Sequence, residues 1–518
     1  MKKFVHRIAV CGMCAVLAVT TLAGCGGASS SSSAASANSA SGTASTASAD
    51  GEYPVIRMGY RVLFEVGAEN EAAVEDALNE ILREKAQAEL DLVAVQAGSY
   101  STQMNLLLTG GDEALDIFTS YSFAPLSTLK ANGQVAALDD LMDSEAPELK
   151  ALFEDYAEVL DCARIGGVLY GIPTITVWSN PNMFIVKKTD SDNANIDWSQ
   201  VNTFEDMTQA MLAMKEANPD AYYVPGSTQT YWLPKTVDYL GDTNFLGVLT
   251  DPTHDTTVEN YYESDYFLNF LEQVKIWKEN DIISPDPLSN SNPTLVNLQS
   301  GVVNGTPGYG WSVDDTIYQY TESQQFGDDI VGCQLGDRIM TTNDVTQYMY
   351  HISTFCEEPE AAMRVLNVLY TDPDAANLIA NGVEGMHYQY DENGRMAYLE
   401  GKDISNSGWT SQSMPLFPNS TLCPLWDFQQ ETTHELMEQA NEEAVKSLAL
   451  GFSFDSTEVA DQITACANVI SQYYLPLMYA EVDIDETLPV FQQALRDAGI
   501  DDIIQAKQEQ LDAWLASK

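Results

Sequence analysis

Histidine and basic residues are scarce in this chain. Its 518 residues hold five histidines and 24 lysines and arginines, set against 76 aspartates and glutamates. The formal charge of −52 comes without any block of lysine or arginine beyond the first few residues, which disfavours nucleic acid and polyanionic cargo as partners. The acidity itself reads as carboxylates spread over solvated helix faces. No CxxC pair occurs among the cysteines beyond residue 24, and none of His254, His351, His387 and His434 is spaced as a metal pair. H-E-x-x-H and G-x-S-x-G are absent as well, which removes zincin and nucleophile-elbow chemistry. Among 76 acidic residues, a facing carboxylate pair of the glycosidase kind stays open. Long apolar runs are missing too. The single candidate, Ile8 to Val19, is shorter than the roughly 20 residues that cross a bilayer.

That run does fit a secretory signal peptide over residues 1–24. Lys2, Lys3 and Arg7 precede it, and Leu22-Ala23-Gly24-Cys25 follows. The tetrapeptide resembles the bacterial lipobox, which implies that Cys25 carries a diacylglyceryl group and becomes the mature N-terminus. Two acyl chains make a stable anchor, since each buried methylene contributes about 0.8 kcal/mol. Residues 26–50 use only Gly, Ala, Ser, Thr, Asn and Asp, so the stretch 25–50 is expected to be a lipidated cysteine on a disordered tether. A coil of that length spans roughly 25–30 Å. Loss of the three basic leader residues takes the mature charge to −55.

Some 468 residues follow residue 50, more than one hydrophobic core usually serves, and this predicts two lobes. Extended segments are expected at Val55–Tyr60, Leu90–Val95 and Leu115–Thr119. They alternate with helices at Asn70–Ala88 and Tyr100–Thr109, the second stopping at Gly110-Gly111. In the first helix Val74, Leu78 and Leu82 line one face while Glu75, Asp76 and Arg83 take the other. Parallel strands joined by helical crossovers place ligands beyond the carboxyl ends of the strands, where Ser120 and Tyr121 sit. Thr203 and Asp206 can cap a helix striped with Phe204, Met207, Met211 and Met214. Phe267, Phe270, Leu271, Val274 and Trp277 mark another core-facing helix. Pro359 and Pro373 read as first-turn prolines, the second helix closing at Asn381-Gly382. The last ninety or so residues read as nearly all helix, broken at Gly451, near Val482–Asp485 and at Gly499. Five cysteines besides Cys25 survive cleavage, an odd number, so at least one is unpaired within the chain.

Gly166-Gly167-Val168-Leu169-Tyr170-Gly171-Ile172-Pro173 resembles the first lobe crossing of the extracellular solute-binding proteins of ABC importers. Gly110 to Ile117 and Asn132 to Leu141 resemble segments of the same family in the same order. Residues 381–388 and the stretches from Gly451 to Asp512 resemble a lipoprotein subgroup named for LipO, with a helical C-terminal tail. The likeness covers nearly the whole mature body. It implies an α/β, two-lobed periplasmic-binding-protein-like fold with a hinge between lobes and a helical C-terminal region. Lobe 1 is expected at about 51–172 plus 335–400, and lobe 2 at about 173–334 plus 401–518. It also implies a small-molecule solute, permease subunits as partners, a membrane contact through the lipid anchor, and a monomer. The expected location is the outer face of the cell membrane, or the periplasm in a Gram-negative host. No cofactor or metal is expected. Asp190-Ser191-Asp192 begins like the calcium loop of alginate-binding relatives, but Ala194 and Asn195 replace a ligand and the turn glycine.

Sugars present flat C–H faces rimmed by hydroxyls, so their sites need exposed aromatic rings beside fixed polar groups. With 25 tyrosines and eight tryptophans the chain can supply both. The candidates for substrate binding are Trp178 and Asn180 just past the crossing, Tyr121 at a strand end, Trp232 in a second-lobe loop, and Tyr309 and Trp311 among glycines. Glu384 and His387, beyond a helix end, complete the set. A neutral oligosaccharide captured for import is the leading expectation, with no catalytic residues. A secreted glycoside hydrolase, a peptide-binding lipoprotein and a non-transport adhesin or sensor are the alternatives.

Overall fold

Strand β1 (Val55–Val62), helix α1 (Ala68–Lys85), β2 (Glu89–Gln96), α2 (Tyr100–Leu107) and β3 (Ile117–Thr119) follow one another in the order the hydrophobic periodicity predicts, and a helix α3 (Leu126–Ala131) comes next. These are elements of a computed structural model that describes residues 53–62, 66–111, 113–121, 123–179, 181–227, 234–291, 294–309, 329–403, 406–409 and 417–518. A hairpin of β4 (Arg164–Ile165) and β5 (Val168–Leu169) leads into β6 (Ile172–Pro173). Its two-residue turn is Gly166-Gly167, with φ of 60° and 83°, a left-handed pair that matches the twist of the flanking strands. Farther on come β7 (Asn182–Lys187), β8 (Gly305–Tyr309), β9 (Ile330–Leu335), β10 (Ile339–Met340) and β11 (Met349–Ile352). A short hairpin of β12 (Gln389–Tyr390) and β13 (Met396–Ala397) precedes β14 (Val445–Lys446).

The first sheet runs in the order β2-β1-β3-β11-β6. β1 is parallel to β2 from Val55 opposite Glu89 to Val62 opposite Gln96, and parallel to β3 at Met58 opposite Ile117. β11 enters antiparallel between β3 and β6. Helices cover the faces of this sheet. Val74, Leu78 and Leu82 of α1 are fully buried, as are Leu366 and Leu369 of the helix Pro359–Thr371. Each such side chain contributes roughly 1.5–3 kcal/mol by leaving water.

The second sheet, β8-β7-β9, is antiparallel throughout, with Phe184 at its centre paired to Pro307 and Cys333. Its core takes Met207, Met211 and Met214 from the helix Phe204–Ala217, and Phe267, Phe270 and Trp277 from the helix Asp265–Glu279. The first of these helices opens with the anticipated reciprocal cap. Thr203 Oγ1 accepts from Asp206 N, and the Asp206 carboxylate accepts from Thr203 N. Three C-terminal helices, Ala460–Met478, Ile484–Asp497 and Ile500–Leu515, join this core through Leu477, Phe491, Leu495 and Leu511. From Ala444 to Ser456 the chain is strand, turn and irregular segment, a longer interruption than the break expected at Gly451.

The protein is therefore a two-lobed α/β fold with a helical C-terminal region. Three segments cross between the cores: residues 174–181, 336–348 and 444–450. Trp409, Phe417, Cys423 and Ala444 pack into the first core, although the expected boundary had assigned 401–518 to the second lobe. Only from Ala449 onward do side chains enter the second core. The crossings brace one another. β10 pairs in parallel with β14, Arg338 Nη1 donates to Ser179 O at 2.9 Å, and Thr174 N donates to Tyr348 O at 3.0 Å. Cys162, Cys333, Cys356, Cys423 and Cys466 are all free thiols.

Candidate functional site

The carboxyl ends of β1, β3 and β6 and the amino end of β11 meet on one edge of the first sheet. Arg61, Ser120, Tyr121 and Tyr348 gather there. Tyr121 and Tyr348 are partly exposed and stack with centroids 4.9 Å apart at 28°. The Arg61 guanidinium lies 5.0 Å from the centroid of Tyr121, a cation on a ring face. Ser120 is 6% exposed, and its hydroxyl has no partner. Behind them the Tyr100 hydroxyl donates to Thr119 O at 3.0 Å. Burial pushes the Tyr100 phenol up to about 12, while the hydrogen bond to Thr119 and the charge of Arg61 pull the other way.

The second sheet has a strand-end edge of its own. Asn182, which opens β7, pairs with Tyr309 at the end of β8 and with Leu335 at the end of β9. Asn182 Oδ1 also accepts from Lys235 N at 3.3 Å. A cavity of about 230 Å³ is lined from both lobes: by Pro125–Thr128 at the start of α3, by Gly241–Asn244, by Phe452–Phe454 and by Thr342, Asn343 and Thr346.

Tyr121 thus occupies the strand-end position anticipated for it, and Tyr309 ends β8 in the second sheet. Trp178 does not line a cleft. It is 2% exposed, its Nε1 donates to Thr174 O at 2.9 Å, and its ring meets Tyr156 edge-on at 5.1 Å. The crossing segment folds back on itself around this ring, which serves as packing. His387 is also a structural group. It is 1% exposed, its Nδ1 accepts from Val383 N at 2.8 Å, and its Nε2 lies 3.2 Å from Asn70 Oδ1. Burial pulls its imidazole down to about 4, so it is neutral. Glu384 is exposed on the turn that His387 closes. Asn180, Trp232, Trp311 and Cys25 lie outside the described residues.

Sequence reasoning passed over Arg61 and Tyr348. The available signal for Arg61 was a lone cation at the end of a predicted strand in an acidic chain. Tyr348 had none, because its place depends on β11 entering between β3 and β6. The calcium-like segment holds a carboxylate already supplied with donors. Asp190 accepts from Asn218 Nδ2 at 2.9 Å, Asn304 Nδ2 at 2.7 Å and the Tyr223 hydroxyl at 3.0 Å. Those donors point their protons where a cation would sit. Among the described residues no cluster of three or more His, Cys, Asp or Glu is placed to hold a metal ion. No described helix is long and apolar enough to cross a membrane.

Residues 68–376, over half of the chain, match the bacterial extracellular solute-binding protein family. The chain belongs to that family. This solute-binding protein also matches a domain of unknown function (DUF3502) over residues 448–516, the region of the three C-terminal helices. It is 25% identical over 488 residues to a carbohydrate ABC transporter substrate-binding protein of Streptococcus pneumoniae serotype 4, covering 90% of this chain and 92% of that one. Its fold is similar to that of the N-glycan transport solute binding protein NgtS of Streptococcus pneumoniae, with a TM-score of 0.76 at 23% identity, over 89% of this chain and 99% of that one. NgtS is also known in complex with Man5GlcNAc, at a TM-score of 0.69, 23% identity and coverage of 90% and 99%. A human-milk-oligosaccharide-binding protein of Bifidobacterium longum infantis follows at a TM-score of 0.61, 15% identity and coverage of 90% and 99%. The family binds solutes, and this solute-binding protein is not an enzyme.

Proposed function

We propose that this protein captures a neutral oligosaccharide between its two lobes and delivers it to the permease of an ABC importer. The observation that carries the reading is the stacked pair Tyr121–Tyr348 at the carboxyl ends of the parallel strands, capped by Arg61. A ring face flanked by fixed donors is what a sugar's C–H surface and hydroxyl rim require. The end-to-end likeness to a carbohydrate-transport relative supports it. Tyr309, Asn180, Trp232 and Trp311 are proposed to contribute from the second lobe and the crossing. The lobes divide as the cores do, with residues up to about 444 that follow β11 belonging to the first. Residues 1–24 are proposed as a cleaved leader and Cys25 as the lipid-bearing terminus, with 26–50 as a tether on the outer surface.

Binding drives closure only to the extent that the solute prefers the closed state, so contacts from both lobes are needed. The strong negative charge repels anionic solutes at long range, within a screening length of roughly 8–10 Å. A thermal-shift screen of neutral glycans, uronate oligomers and peptides tests the reading, because a ligand at 100 times its Kd adds about 2.7 kcal/mol. Neutral glycans are expected to stabilise the protein. Stabilisation by peptides alone, with every glycan inert, overturns the sugar assignment.

A further inference from the structure

Seven of the eight described arginines place their guanidinium groups on protein acceptors. Arg57, Arg83, Arg164, Arg364 and Arg496 meet carboxylates, while Arg338 and Arg395 meet backbone carbonyls. Arg61 is the exception. Among the described residues its guanidinium makes no hydrogen bond or ion pair, its Nε is buried without a partner, and it lies over the Tyr121 ring. In a chain with 76 carboxylates, a cation kept from all of them is held so by its place in the fold. A buried, unpaired donor is costly, and such groups persist where something else supplies the acceptor. Ser120 presents a second one. The β1–β3 register, Met58 opposite Ile117, continued three residues along both strands brings Arg61 level with Ser120, whose buried hydroxyl is likewise unpartnered.

Resting on the function proposed above, we propose that Arg61 and Ser120 form the polar half of a sugar subsite and hold two neighbouring hydroxyl oxygens of one ring beside the Tyr121–Tyr348 stack. The guanidinium fork offers parallel N–H groups at the spacing of adjacent oxygens, which an ammonium cannot reproduce. Arg61 is therefore a specificity-determining residue of this chain. Its lost partners are supplied by the ligand, and its removal leaves the free protein intact.

Calorimetric titration with Man1GlcNAc, Man5GlcNAc, kestose and a tetragalacturonate tests this on the wild type, R61Q, R61K, S120A and the surface control R83Q. Wild type and R83Q are expected to bind a neutral probe alike. R61Q and R61K are expected to lose about 10- to 100-fold in affinity, and S120A several-fold, with unfolding midpoints of the free proteins unchanged. Equal affinity of R61Q and wild type for a bound neutral glycan overturns the subsite while leaving the sugar reading intact. A lowered midpoint of free R61Q with unchanged affinity does the same, assigning Arg61 to packing. Tighter binding of tetragalacturonate than of every neutral probe overturns the hydroxyl assignment. No binding of any of the four probes sinks the function proposed above, and the subsite with it.

Discussion

Lys235 and Asp344 form an ion pair at 2.6 Å with side-chain exposures of 3% and 2%. Lys235 stands beside the opening of β7, and Asp344 lies in the crossing segment that enters β11, so the pair ties the second lobe to the hinge. Thr341 Oγ1 donates to the other oxygen of Asp344 at 2.7 Å. Removing one partner strands a buried charge, which costs about 3–5 kcal/mol, whereas replacing both by apolar residues costs far less. Asp344→Ala is expected to lower unfolding free energy by that amount in chemical denaturation. The double change Lys235→Met with Asp344→Leu should recover most of it. A double variant as unstable as the single one contradicts the buried-charge account.

Trp178 is expected to act on stability. Trp178→Ala removes a ring packed on Tyr156 and its hydrogen bond to Thr174, at a cost of about 3–5 kcal/mol. Denaturant unfolding measures this directly. A variant of unchanged stability and lost glycan affinity contradicts the placement of this ring in the crossing.

The first three strands, their helices and the Thr203 cap could be read from periodicity because each depends on residues within a few positions, as with Thr203 and Asp206 or Val74 and Leu78, whereas the entry of β11 between β3 and β6 could not. Tyr121 was legible because the rule for strand ends needs only the order of elements. Trp178 was not. It lies in a polar stretch, and the groups that bury it, Tyr156 and Asn441, are 22 and 263 residues away. His387 depends likewise on Asn70, 317 residues distant. The lobe boundary was misplaced for the same reason, since Trp409 reaches the first core through Ile379 O and Tyr60.

His351 makes stability depend on pH. It is fully buried, Nδ1 lies 2.8 Å from Tyr170 O, and burial pulls its imidazole from 6.5 down to about 4. The native state then binds fewer protons than the unfolded chain between those values, so its contribution is present above pH 6.5 and is lost as pH falls towards 4. The loss amounts to roughly 2–3 kcal/mol. Thermal unfolding of wild type and His351→Gln between pH 7 and pH 4.5 checks it, with a shallower decline expected for the variant. Parallel profiles contradict the neutral, buried imidazole.

Cys25→Ala is expected to release the protein from membranes, because it removes the proposed acylation site. Fractionation of expressing cells reads the outcome. Sedimentation of the variant with membranes contradicts a lipid anchor at this residue.

Capture between two lobes is the central claim, and small-angle X-ray scattering tests it most directly. The protein is measured alone and with a saturating neutral glycan that calorimetry has shown to bind. The proposed contacts to Tyr121 in the first lobe and to the Tyr309 edge in the second favour closure, so the radius of gyration should fall on binding. A bound glycan that leaves the scattering profile unchanged contradicts capture by closure of the two lobes.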